Sequence, residues 1–172
     1  MSLPEWVLLF PRELAVVIIS ALPLLELRGA IPAGFYWEIP GCQVYLLAFI
    51  GNMLPVLPLL LIFRFFFEKL KNARFVGRFF RWWFSRVERN SRQFKRFGFW
   101  GVVFLVSIPL PVTGAWTGSV AATLFRLNVR RAFLAIALGV ALAGILVTLL
   151  VNGITGLKEL LNPGACLLIF PA

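Results

Sequence analysis

Leu14-Ala15-Val16-Val17-Ile18-Ile19-Ser20-Ala21-Leu22-Pro23-Leu24-Leu25 is an apolar run of about 12 residues, stopped by Glu26, Arg28, Gly29 and Pro32. A hydrocarbon core about 30 Å thick needs roughly 20 apolar residues in a helix. The run is therefore too short to cross a bilayer. A second apolar piece, Ala33 to Ile39, follows the break. A short apolar helix, a Pro/Gly break and a returning piece form the pattern of a re-entrant hairpin. Broken backbone of this kind is tolerated at membrane depth only where it is buried in protein or lines a wet cavity. The alternative is a single tilted, kinked span.

The pattern occurs twice. Phe97 to Ile108 is apolar, is stopped by Pro109, Pro111 and Gly114, and is followed by Trp116 to Phe125. Each such segment precedes a run long enough to span: Val44 to Phe63, interrupted by Pro55 and Pro58, and Ala132 to Val151, which carries no charge. The strings match loosely as well. Pro23-Leu24-Leu25-Glu26-Leu27-Arg28-Gly29-Ala30 recurs as Pro109-Leu110-Pro111-Val112-Thr113-Gly114-Ala115. Leu47-Ala48-Phe49-Ile50-Gly51 resembles Leu134-Ala135-Ile136-Ala137-Leu138-Gly139. The expected fold class is an all-α integral membrane protein, an inverted repeat of hairpin plus transmembrane helix. Short, Pro/Gly-interrupted segments at matching places in two halves point to a transporter's binding site.

Charge fixes an orientation. Eleven of the 17 Lys and Arg lie between Arg64 and Arg96. In the same segment Phe63, Phe66, Leu70, Ala73, Val76, Phe80, Trp83, Val87 and Phe94 fall near helical spacing. This reads as an amphipathic helix at the cytoplasmic interface, aromatics dipping in and basic heads meeting anionic phosphates. If hairpin one opens outward, the first span ends at this segment and hairpin two opens inward. Arg126, Arg130 and Arg131 then join the cytoplasmic charges, as the positive-inside rule asks. The organisation is one membrane domain over 1–172: first repeat 10–63, cytoplasmic amphipathic helix 64–96, second repeat 97–151 and C-terminal tail 152–172. The expected location is the inner or plasma membrane, multi-pass.

Composition limits the chemistry. Of 172 residues 60% are hydrophobic and 14% charged, with a formal net charge of +10. The basic cluster sits between lipid-length apolar runs, which favours anionic lipid over nucleic acid as its partner. There is no His and no Asp. Metal sites built on Cys and His, and any triad or dyad that needs His, are excluded. No enzyme activity and no cofactor are expected. Cys42 and Cys166 both fall on the outer side, where a disulfide is permitted, but free thiols are the expectation.

The strings Leu25-Glu26-Leu27-Arg28-Gly29-Ala30-Ile31-Pro32, Gly51-Asn52-Met53-Leu54-Pro55 and Ile108-Pro109-Leu110-Pro111-Val112-Thr113-Gly114-Ala115-Trp116-Thr117-Gly118, with Arg96-Phe97-Gly98 ahead of the last, resemble the small multidrug export family. The resemblance runs from about Leu14 to Val151. It implies placement in the DedA-like superfamily, two facing re-entrant hairpins and a transport or lipid-moving role. Bacterial DedA proteins typically carry an Arg around the Pro motif of the second hairpin, and Ile108 to Trp116 has none.

Candidate site residues follow from cost. A charge at the bilayer centre costs roughly 2.5–3.5 kcal/mol on insertion scales and is usually partnered and functional. Glu26 is the proton-coupling candidate. Arg28 is the substrate-binding candidate, with a guanidinium able to grip an anionic headgroup bidentately; the two also suit a structural ion pair closing the hairpin. Asn52, mid-span, is either interhelical glue or a substrate contact. Thr113 and Trp116 flank the Gly114 break, where half-helix ends expose backbone groups. Gly29, Pro32, Pro109, Pro111 and Gly114 are the hairpin breaks, and Arg126, Arg130 and Arg131 set topology or meet lipid headgroups.

Three functions remain open. One is a proton- or ion-coupled transporter or flippase for a lipid-linked or amphiphilic anion. The second is a small-molecule drug exporter, and the third a non-transporting scaffold that binds anionic lipid. Four membrane-inserted elements leave little room for a closed substrate path, so a homodimer is expected.

Overall fold

A computed structural model describes residues 11–70, 91–108 and 114–160, and these residues are helical with no strand. The elements are α1 (Arg12–Ala21), α2 (Glu26–Tyr36), α3 (Gly41–Met53), α4 (Val56–Leu70), α5 (Ser91–Ser107), α6 (Ala115–Leu124) and α7 (Val129–Leu160). Two stretches are long and apolar enough to cross a membrane: Gly41–Lys69, of 29 residues, and Val129–Val151, of 23. At 1.5 Å per residue these reach about 43 and 35 Å, against a core of about 30 Å. By the same measure α1, with 10 residues, and α2, with 11, are each about 15 Å long, half the core.

Both long stretches differ in detail from the sequence reading. The first begins at Gly41 rather than Val44 and is broken at Leu54–Pro55, while Pro58 sits inside α4. Proline is tolerated in a helix's first turn because the N–H it lacks has no partner there anyway. The second begins at Val129, and its helical geometry is interrupted at Gly153, whose φ is 57°. α5 runs unbroken from Ser91 to Ser107, across position 96–97. Most of the expected amphipathic helix, residues 71–90, lies outside the described residues.

The chain divides into two compact units, Met1–Leu54 with Val140–Ala172, and Pro55–Gly139. In the first, α1 packs on α2 and α3, and α2 packs on α3. Its core is small and branched: Ala15, Val16, Ile19, Ala30, Ile31, Val44 and Ala48 are all but sealed. The later part of α7 joins this unit through Gly144, where a methyl group would stand 2.6 Å from the Tyr45 ring and 3.1 Å from Leu27. The Tyr45 hydroxyl donates to the Ala141 carbonyl at 3.0 Å. In the second unit α6 packs on α4 and α5. Val102, Val103, Val106, Ala122, Ala135 and Ile136 fill its core.

The same contacts recur in both units. Gly51 lies against Val17 and Ser20 of α1, so closely that an added methyl would meet Val17 Cα at 2.9 Å. Gly139 lies against Val103 and Val106 of α5, where a methyl would meet Val106 Cβ at 2.6 Å and the Val103 carbonyl at 3.0 Å. The ends of α2 and α6 match too. Ile39 N–H bonds to Gly34 O and Glu38 N–H to Phe35 O, and 88 positions later Leu127 bonds to Ala122 and Arg126 to Thr123. This is the Schellman terminus, which satisfies carbonyls that would otherwise be orphaned.

The contacts recur at a spacing of 86 residues for Val17 with Val103 and Ser20 with Val106, and of 88 residues for Gly51 with Gly139 and Glu38 with Arg126.

Large apolar side chains point outward. Leu134, Leu138, Leu142, Leu146 and Leu150 form an exposed stripe along α7, and Leu57, Leu61, Ile62, Phe65 and Phe66 are exposed on α4. Gly51, Ala48, Gly139, Ala135 and Gly144 face inward. Small residues inside and leucines outside is the arrangement of helices whose solvent is lipid.

Candidate functional site

The turn between α1 and α2 is made by Leu22–Leu25, with Pro23 in it. Gly29 and Pro32, expected at the break, instead lie within α2. The helix tolerates Pro32 even though its ring removes the N–H that would reach the Arg28 carbonyl, a defect costing about 3 kcal/mol in an isolated helix. Tertiary packing of Ala30 and Ile31, both sealed, overrides it.

Glu26 opens α2. Its φ is 46°, in the left-handed region that a side-chain-bearing residue enters at a cost of about 1–3 kcal/mol. Its N–H donates to the Leu22 carbonyl at 3.0 Å, and only 7% of it is exposed. Arg28, half-buried two residues further on in the same turn, interacts electrostatically with Glu26. Side chains two apart on a regular helix diverge. The left-handed backbone at Glu26 departs from that regular geometry, as an unwound turn would. The structure therefore brings together the acid and the base that the sequence singled out.

The first unit holds other buried polar groups. Ser20, Asn52 and Thr148 are 0%, 0% and 1% exposed. Two hydroxyls are satisfied within their own helices, Ser20 on Val17 O at 2.9 Å and Thr148 on Gly144 O at 2.8 Å. Back-bonding of this kind is how hydroxyls are housed in lipid. Asn52 differs: neither its Oδ1 nor its Nδ2 has a hydrogen-bond partner among the described residues. It follows Gly51, the point where α3 crosses Ser20. Ser20 and Thr148 escaped the sequence reading, since a lone hydroxyl in an apolar run gives no signal of depth.

In the second unit Gly114 caps α6, its N–H donating to Thr117 Oγ1 at 2.9 Å. Trp116 is half-buried in the first turn of α6. Ser119 is sealed and bonds to Ala115 O at 2.7 Å. Thr113, Pro109 and Pro111 lie outside the described residues. Arg126 is half-exposed with φ 52°, while Arg130 and Arg131 are exposed in the first turn of α7.

One expectation is overturned. Cys42, buried at the start of α3, is disulfide-bonded rather than a free thiol. Cys166 lies outside the described residues. No group of three or more His, Cys, Asp or Glu able to hold a metal occurs among the described residues.

Among families, the model described as "Putative small multi-drug export protein" matches residues 26–146, from Glu26 to one turn before Leu150. No curated protein and no solved structure matches the chain.

Proposed function

The chain is a membrane protein that belongs to the small multi-drug export protein family, and from that membership we propose that it is a proton-coupled transporter of amphiphilic anions. The observation that carries the proposal is Glu26, a buried acid held in left-handed backbone at the start of a half-length helix, beside Arg28. A carboxylate so placed is expensive unless it is neutralised by a proton or by a partner. Arg28 supplies the partner. An arriving anion competes with the carboxylate for the guanidinium, and Glu26 takes up a proton as it is displaced. Proton and anion movement are thereby linked, and no bond other than O–H is made or broken.

The architecture proposed with it is an inverted repeat of two re-entrant hairpins, each followed by a span, as the DedA-like resemblance implies. Two short helices about 15 Å long and repeated Schellman termini support that reading. The disulfide at Cys42 supports an oxidising side for the start of α3. Arg126, Arg130 and Arg131 then face the cytoplasm, which fits a multi-pass inner-membrane protein. Anionic lipid headgroups are the proposed partners of those arginines. A homodimer is the proposed assembly and enzymatic turnover is not part of the function. A lipid-linked anion is the substrate form that would make the chain a flippase.

The family description favours a second reading, export of small hydrophobic drugs. The test is purified protein in proteoliposomes under an imposed pH gradient, loaded in parallel with a fluorescent anionic amphiphile and a lipophilic cationic dye. Gradient-driven flux of the anion alone supports the proposal. Flux of the cation alone selects drug export, and flux of neither leaves a scaffold.

A further inference from the structure

Leaving both polar ends of a sealed amide unbonded costs several kcal/mol, and native proteins almost always place something there. Asn52 is 0% exposed with Oδ1 and Nδ2 both unpartnered among the described residues. Its surroundings narrow what that something is. The neighbouring residue Gly51 lies against Ser20, whose hydroxyl spends its proton on the Val17 carbonyl and keeps its lone pairs to accept. A cation would suit Oδ1 and the Ser20 oxygen but would be repelled by the Nδ2 amide hydrogens. A carboxylate would suit Nδ2 and be repelled by Oδ1. Water donates and accepts, and buried water typically makes two to four bonds to groups of this kind.

Ser20 and Asn52 belong to the helices packed on the one that carries Glu26. Ser20 is on α1, Glu26 on α2 and Asn52 on α3, and these three helices pack on one another pairwise. We infer that Asn52, with Ser20, holds buried water through which protons reach and leave Glu26. This rests on Glu26 being the coupling group. In each step an O–H bond forms on the next oxygen as one breaks on the last, and the proton ends on a Glu26 carboxylate oxygen. Asn52 itself neither gains nor loses a proton and is a positioning residue. The charged and titratable groups on the packed elements, Glu26 apart, are Arg12 and Glu13 at the exposed start of α1, Arg28 and the exposed Tyr36 on α2 itself, and Tyr45 on α3, bonded to Ala141 O. On α7 in this unit residues 140–151 carry none, and Lys158 and Glu159 follow only beyond the break at Gly153.

The experiment follows the carboxyl C=O stretch of protonated Glu26 by infrared spectroscopy in lipid, assigned as the band lost in Glu26→Gln, and times its hydrogen–deuterium exchange. Asn52→Leu keeps the volume and removes both polar atoms. Exchange is expected to slow by at least roughly tenfold, with the band's pH midpoint little changed. Ser20→Ala, a small change that keeps the helix, is expected to slow exchange in the same direction. Asn52→Ser, which retains a donor and an acceptor, is expected to restore most of the rate. Wild-type exchange in both Asn52→Leu and Ser20→Ala overturns the inference while leaving Glu26 as the coupling group. A raised KM for the transported anion in Asn52→Leu with unaltered exchange also overturns it, making Asn52 a substrate contact. If no band is lost in Glu26→Gln, the coupling reading fails and the water inference with it. Should Asn52→Leu not fold, Ser20→Ala decides alone.

Discussion

Glu38 and Arg126 occupy one and the same position in two copies of a helix terminus, 88 residues apart, and carry opposite charges. Each follows a short helix in left-handed backbone, with φ of 60° and 52°. Each is followed by a buried apolar residue, Ile39 and Leu127, whose N–H closes the Schellman turn. Glycine is the usual occupant because it has no Cβ to clash. A positive charge also suits a helix C-terminus and a negative one does not. Arg126 therefore agrees with its helix dipole and Glu38 opposes its own.

Replacing either residue with glycine relieves the backbone. Glu38→Gly and Arg126→Gly are each expected to stabilise the folded protein by about 1 kcal/mol, with Glu38→Gly the larger because it also removes an unfavourable charge. Thermal unfolding in detergent measures this. Alanine at either site should give no such gain.

The two glycine crossings are expected to be intolerant. Gly51→Ala and Gly139→Ala place a methyl group against α1 and α5 backbone or Cβ atoms that cannot swing aside. Each should destabilise by about 1–3 kcal/mol. Gly101→Ala, with nothing within 4 Å, is the control and should be neutral or slightly stabilising.

Glu26→Gln keeps size and hydrogen-bonding capacity and removes the titratable group. The variant should fold and reach the membrane, yet lose gradient-driven transport while any passive exchange persists. Glu26→Asp should retain part of the activity. Full gradient-driven flux in the Gln variant would remove Glu26 from the mechanism.

Arg28→Lys preserves the charge and loses the bidentate fork. It should weaken anion binding while leaving stability near that of the parent, whereas Arg28→Ala should lose binding and also leave Glu26 without its charge partner. Equal, unchanged affinity in both variants would show that the pair only closes the hairpin.

Orientation is open to cysteine labelling in intact cells, on a background with Cys42 and Cys166 replaced by serine. Both test positions are exposed, Glu38 and Arg131. Glu38→Cys should react with an impermeant thiol reagent from outside, and Arg131→Cys only after permeabilisation. The reverse pattern would invert the topology.

Much of this was legible along the chain because lipid imposes simple rules. A span must be long and apolar, and its backbone must bond to itself, so run length separates the two spans from the pieces too short to cross. An expensive charge stands out in such a sequence, which is why Glu26 and Arg28 were visible by composition and are found interacting. The strings that end in Gly51 and Gly139 were visible as well, and each of these glycines lies at a close helix crossing. What the sequence did not determine depends on contacts between residues far apart in it. Pro32 reads as a breaker, yet α2 passes through it because sealed neighbours hold the helix. That Glu38 and Arg126 end their helices in like turns becomes visible only from the hydrogen bonds that close them. Asn52 looks like any polar residue in a span until the fold seals it and leaves its amide unbonded. The pairing of Cys42 was decided likewise, since a disulfide needs two thiols within bonding distance and only the tertiary structure supplies that distance.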